Sequence, residues 1–327
     1  MPRRSTILIA SIVLTATACA VKPQTPQLLH DSAPAIDESW PVPTGAGENV
    51  LHQGDAIVAV FIAPDHFAVS QEQLLDWVRT GAHAVSNFYG NFPVPHVAIY
   101  ITLEGDGDEI HGTEYDGTLI RMRLGPNVGE AALADDWTMT HEMLHLAFPN
   151  MGDEHLWMNE GLSVYLEPIC RARIGIISTQ RYWRELVEGL ENGQPDAGDQ
   201  GLDNTHTWGR TYWGGTMFWF LADVRIRKET NNRHSVDDAV RTILADGGDG
   251  SKPWPMQRVL DLGDQATGTH VLADLYSELA THSVHVDFTP WWKWLGVEYE
   301  NGNVRFDDSA PGAAVRRSIT QGSPNHF

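Results

Sequence analysis

Apolar residues recur along this chain at two spacings, and the dominant spacing changes near residue 127. Before that point the informative stretches are short. Ala56-Ile-Val-Ala-Val-Phe-Ile is a continuous apolar run of the length expected for a buried strand. His96-Val-Ala-Ile-Tyr-Ile-Thr-Leu predicts a second strand. Leu119-Ile-Arg-Met-Arg-Leu, closed by Gly125-Pro126, alternates and predicts a third with one polar face. Between the first two, Ser70 to Tyr89 carries a helical stripe, with Ser70 at the N-cap and Gln73 at capping-box spacing. Beyond 127 the helical period takes over. It predicts helices over 131–148, from Leu156 onward, and over 179–190, 212–228, 235–244, 256–262 and 270–281. Val297 to Phe306, with Asn301-Gly302 between two short runs, predicts a hairpin. There is no internal repeat. Strands followed by helices predict an α+β fold.

The same pattern divides the chain. Residues 51–126 form a sheet-containing part, 127–290 a helical part and 291–310 a C-terminal hairpin, with 311–327 read as a weakly structured tail. Residues 19–50, rich in Pro, Ser, Thr, Ala and Gly, predict a flexible tether. Residues 1–18 read as a signal peptide: Arg3 and Arg4 form a positive n-region, and residues 7–14 an apolar run too short to span a bilayer. Ala16-Thr-Ala-Cys19 resembles a bacterial lipobox, so Cys19 would receive a lipid. The expected location is therefore outside the cytoplasm, anchored in a bacterial cell envelope on the periplasmic side, or periplasmic or secreted without the lipid. Cys170 is then the only other cysteine, which excludes an intrachain disulfide in the body and suits a small buried apolar residue.

Of the 327 residues, 42% are hydrophobic, as in an ordinary globular protein, but the formal charge is −21. That balance argues against nucleic acid as a partner, because such binding needs Lys and Arg to neutralise phosphates. It also argues against adsorption of the folded body on anionic membranes.

The candidate chemistry lies in the first two helices after residue 127. His141-Glu-Met-Leu-His145 sets two imidazoles one turn apart on one helical face. Such a pair suits Zn²⁺, which takes three protein ligands in catalytic sites and leaves a position for water. Glu142 sits where it can take a proton from that water. An amphipathic helix with two polar residues one turn apart would show the same five letters, so the surroundings matter. Glu160, Val164 and Glu167 share a face of the next helix, between Trp157, Leu162 and Leu166. A carboxylate there needs a partner, and a metal is one. Glu160 would be the third ligand. Glu167 could stand behind the ligands and hold an imidazole N–H, or be a solvated helix-end glutamate.

His-Glu-x-x-His followed by Trp157-x-Asn-Glu-Gly-x-x-x-Tyr-x-Glu167 resembles the gluzincin metallopeptidases, in particular the aminopeptidase N and leukotriene-hydrolase group and the glycyl aminopeptidase-like group. The matching stretch runs from Asp135 to Glu167, with a looser match to about Arg227. The resemblance implies a thermolysin-like catalytic domain with one zinc, held by His141, His145 and Glu160, with Glu142 as general base and a peptide or protein as substrate. Arg210-Thr-Tyr-Trp-Gly-Gly resembles the family's Tyr-x-x-Gly helix, which would make Tyr212 the oxyanion donor; a core aromatic is the other reading. There are two departures. The 14 residues between His145 and Glu160 are fewer than is usual for aminopeptidase N. The Gly-x-Met-Glu-Asn motif that anchors a substrate's amino group is absent, with Gly112-Thr-Glu-Tyr-Asp-Gly in its place and Glu114 as a weak substitute. Cleavage at a free N-terminus and cleavage within a chain both stay open, as do a zinc hydrolase of a non-peptide substrate and a non-catalytic peptide-binding protein.

Other constellations weigh less. His206, six residues before Tyr212, is a candidate for the cleft wall. Asp106-Gly-Asp and Asp246-Gly-Gly-Asp-Gly-Ser lack full calcium-loop spacing and read as solvated turns. Trp291-Trp-Lys-Trp reads as packing, and His282 with His285 has no third ligand near it.

Overall fold

The computed structural model describes residues 47–322. The expected signal peptide, Cys19 and the tether up to residue 46 lie outside the described residues. Strand β1 (Gly47–Gln53) and β2 (Ala56–Ile62) form a hairpin, and helix α1 (Gln71–Tyr89) crosses to β3 (His96–Leu103). Two shorter strands follow, β4 (Ile110–Tyr115) and β5 (Leu119–Leu124). The sheet order is β1-β2-β3-β5-β4, parallel at β2–β3 and β3–β5 and antiparallel at both ends. This mixed sheet buries one face. Val58, Val60, Ile99, Ile101, Ile120 and Met122 are buried in one core with Leu74, Val78, Val85 and Phe88 of α1. The Ser70–Gln73 capping box starts α1, and Gly90 in the left-handed region ends it.

The helical part begins with α2 (Glu130–Asp135) and α3 (Thr138–His145). The sequence predicted one helix over 131–148, and the structure breaks it at Asp136. Its carboxylate accepts from the N–H groups of Thr138 and Met139 and from the Trp77 indole, so it caps a new helix instead of continuing the old one. The helix also stops at His145 rather than Phe148. Pro149 forbids continuation, and the Leu146 carbonyl accepts instead from the Gly250 N–H.

Helix α4 (Leu156–Arg173) runs through the middle of this part, touching α1, α3, α5 (Thr179–Leu190) and α6 (Gly215–Glu229). A turn of π-helix over Gly209–Gly214 leads into α6, earlier and wider than the α-helix expected from 212. Then come α7 (Val236–Ala245), α8 (Met256–Thr267), α9 (Val271–Leu279), α10 (Thr289–Leu295), the hairpin β6 (Val297–Glu300) and β7 (Asn303–Phe306), and α11 (Ala313–Gln321).

Three further expectations are corrected. The tether does not reach residue 50, because Gly47 to Val50 already pair with β2. Strand β4 was not foreseen. The tail over 311–327 is not unstructured throughout: α11 buries Ala313, Val315 and Ile319, and its buried Arg316 donates to the Leu295 and Gly296 carbonyls. Among the described residues, no helix is long and apolar enough to cross a membrane.

Candidate metal centre

Helix α3 has two working faces. Met139 and Met143 point into the core. His141 and His145 point the other way, toward α4, which delivers Glu160. His141 Nε2 lies 3.1 Å from Glu160 Oε2 and 3.2 Å from His145 Nε2, and His145 Nε2 lies 3.5 Å from Glu160 Oε2. The short link between the helices spans this distance through a tight turn after Phe148, and Asn159 holds it there. The Asn159 amide donates to the Pro149 carbonyl and accepts from the Met151 N–H.

The donor set fits a zinc ion. Three corners of a tetrahedron drawn at about 2.0–2.1 Å from its centre lie about 3.3–3.4 Å apart, close to the observed spacings. Two imidazole nitrogens facing each other can share at most one proton between them, and a cation satisfies both. His141 is buried, and its Nδ1 has no hydrogen-bond partner. His145 Nδ1 meets Ser163 Oγ at 3.3 Å. Burial alone would lower the His145 pKa, but Glu160, Glu142 and Glu114 outweigh it and lift it to about 9. Burial likewise opposes ionisation of Glu160, yet the two histidines hold its carboxyl well below the usual range. Without a cation of its own, the cluster keeps a proton where a metal would sit.

Glu142 lies on the side of α3 that faces β4. Burial raises its pKa, partly offset by His141 and His145. The Glu114 backbone, on β4 at the edge of the sheet, lowers it a little further. The strand comes close only because residue 112 is glycine. A Cβ there would stand 2.4 Å from Glu142 Cγ and 2.8 Å from Oε1. Glu114 shares the inward face of β4 with Gly112, and its own carboxylate accepts from the Gly117 N–H. Burial, reduced by His145, lifts that carboxyl to about 7.

Tyr212 enters from the π-helical turn. Its ring stacks at 6.5 Å from His141 and 6.2 Å from Trp208. Burial and the negative charges of Glu160 and Glu142 push its pKa up, so the phenol keeps its proton. The turn is set against α4 by backbone contact: a Cβ on Gly161 would lie 2.2 Å from the Gly215 carbonyl carbon. The Asn-Glu-Gly triplet thus holds a loop, offers a carboxylate and admits the helix that bears Tyr212.

Glu167 does not hold an imidazole. Its carboxylate takes Arg171 at 2.9 Å, and Arg171 donates onward to the Asp135 carbonyl just ahead of α3. Seven positions beyond Glu160 and still inside α4, Glu167 is carried past the histidines toward α2. Burial, only partly offset by Arg171, lifts its carboxyl to about 7. His206 is exposed in the loop before the π-helical turn and makes no hydrogen bond to the cluster among the described residues. Sequence reasoning passed over Gly112, Asp136, Asn159, Gly161 and Ser163. Of these, Asn159 and Gly161 lie in the Asn-Glu-Gly motif and Gly112 opens the stretch in place of Gly-x-Met-Glu-Asn, but none had been given a role. A second group, Glu154, His155 and Asp203, also brings three donor atoms together. There Asp203 is already used: it accepts from the Trp157 indole and the Tyr276 hydroxyl and meets His155 Nδ1, clamping its loop to the start of α4.

By sequence, no family model and no curated protein matches the chain. By structure, it is similar to an aminopeptidase N family protein from Idiomarina loihiensis, with TM-score 0.59, 12% identity, and 77% of this chain against 49% of that one. Yeast LTA4 hydrolase, solved with bestatin, gives 0.54 at 15% identity over 73% of this chain and 40% of that one. An M1 zinc metallopeptidase from Deinococcus radiodurans, bound to a Tyr-Ser-Ala substrate, gives 0.50 at 11% identity over 74% and 53%. These likenesses show a shared fold. The chain spans about half the length of these structures or less.

Proposed function

We propose that the protein is a zinc-dependent hydrolase of peptide bonds, with His141, His145 and Glu160 as the metal's ligands. One observation carries this reading: three donor atoms converge at zinc spacing beside a buried carboxylate that is not among them. The thermolysin-like arrangement implied by the motifs is part of the same proposal. When bound, zinc supplies Lewis acidity, the chemistry that lets water attack a carbonyl at neutral pH. Glu142 takes a proton from the attacking water on its carboxylate and returns it to the leaving amine nitrogen. Close packing against Gly112 keeps that carboxylate in place, and burial gives it the raised pKa that both transfers need. Tyr212 donates its O–H to the oxyanion, where negative charge develops only in the transition state.

The narrower reading of an aminopeptidase is favoured by Glu114, whose carboxyl stands beside the cluster and could receive a substrate's amino group. Cleavage of free but not N-acetylated peptides would support it. Export and lipid anchoring at Cys19 remain proposals from the N-terminal sequence pattern.

Replacing Glu142 with Gln tests the central claim. Zinc content, read by elemental analysis of the purified chain, stays near one per chain, while kcat/KM on peptides falls by about 10²–10⁴-fold. A zinc-loaded Glu142→Gln enzyme with wild-type turnover would remove Glu142 from its role.

A further inference from the structure

Among the described tryptophans, Trp137 alone is exposed, at 49% of its surface. An indole left in water forgoes a large apolar burial, and tryptophan is highly buried on average. Trp137 stands one helical turn ahead of His141, so Trp137, His141 and His145 form a single stripe. Its ring meets His141 edge-on at 5.3 Å. With Tyr212 stacked on His141 and Trp208 on Tyr212, the ligand histidine is framed by a continuous aromatic surface.

We propose that Trp137 is a specificity-determining residue, an aromatic platform for an apolar or aromatic substrate side chain close to the scissile bond. The proposal rests on the peptidase reading above. One helical turn is about 5–6 Å, so a peptide reacting over the cluster passes within reach of the indole face. The indole could also attract a cation, but the acidic groups beside it are already engaged. Asp135 pairs with Arg181, and Asp136 is spent on the cap of α3 and on Trp77. A basic side chain would find no free carboxylate from these neighbours, whereas an apolar one gains ring contact and leaves water.

The test uses the full, zinc-loaded chain and matched peptides that differ at one position beside the cleaved bond, carrying Ala, Leu, Phe or Lys. Wild type is expected to prefer Phe and Leu over Ala by about ten-fold or more in kcat/KM. Trp137→Ala compresses that ratio about ten-fold at unchanged zinc content, and Trp137→Phe restores most of it. An unchanged ratio in Trp137→Ala overturns the platform alone. A Lys preference that vanishes in Trp137→Ala overturns the apolar class. Loss of all turnover in both variants assigns Trp137 to positioning His141 and also overturns it. If zinc-loaded wild type cleaves no peptide, the hydrolase reading falls and the platform falls with it.

Discussion

Two buried clusters of charge sit on helix α4, and they are built in opposite ways. Toward its C-terminus, Arg173 pairs with Asp237 at 2.7 Å, while Arg227 pairs with Asp223 at 2.9 Å and reaches Asp237 at 3.8 Å. Tyr165 and the Val236 N–H also donate to Asp223. Every carboxylate there has a guanidinium, so the desolvation of each charge is answered from within the chain. Toward the N-terminus of α4, Glu160 faces two imidazoles, with Glu142 behind them, and among the described residues no Lys or Arg takes part. One cluster is complete and contributes to the fold at all times. The other has only a histidine proton as its cation, and this suits it to the zinc proposed above. Burial of charge therefore does not by itself mark a functional site; what distinguishes this one is that its internal counter-charge is a histidine proton, which a metal can displace.

The comparison can be broken at either end. The largest effect is expected from Asp237→Asn, which leaves Arg173, Arg227 and Arg241 facing one carboxylate fewer. Unfolding free energy should fall by about 3–5 kcal/mol in denaturant titration, with zinc content unchanged. A loss under about 1 kcal/mol would show that the arginine cluster is not holding the fold. The same group sets a pH window. Burial would raise Asp237, but Arg173, Arg227 and Arg241 lower it to about 2. Its contribution, about 2 kcal/mol, is therefore present above the unfolded value of 3.8 and is lost as pH falls through about 2.

Glu160→Ala acts on the histidine cluster. Groups that merely support metal ligands are worth about 10–100-fold in affinity, so losing a ligand should weaken zinc binding by more than about 100-fold in a competition titration. The Tm of the metal-free protein should drop as well at neutral pH, because the Glu160 charge also holds the protonated His145. A Glu160→Ala protein that keeps one tightly held zinc would move the third ligand elsewhere. Gly112→Ala sharpens the picture with the smallest change, a single methyl driven against Glu142. It should cost about 10–100-fold in kcat with zinc retained, since a misplacement near 1 Å is enough for such a loss.

The legibility of the sequence follows the same division. Helix α1 could be read to its cap because Ser70, Gln73 and the apolar stripe all agree. Strands β2, β3 and β5 could be read from their β-branched and apolar inward positions. Strand β4 could not, because its inward positions include Gly112 and Glu114, chosen for Glu142 and not for the core. Helix α11 was missed for a related reason: it buries an arginine and small residues, which look like a polar tail until the carbonyls of Leu295 and Gly296 are seen to receive Arg316. The break at Asp136 depends on Trp77, fifty-nine positions away, sharing the same carboxylate.

What the sequence determined by itself was the local placement: two histidines and a glutamate on adjacent helices, a neighbouring carboxylate, and an α+β order of elements. These depend on spacing along a helix, which is a property of consecutive residues. Only the tertiary structure decided that Glu160 meets the histidines across so short a link, that β4 passes close against Glu142 at Gly112, that Glu167 turns to Arg171, and that Trp137 is left in water. Each of those is a contact between segments far apart in the chain, set by which backbones can approach and which buried charges find a partner.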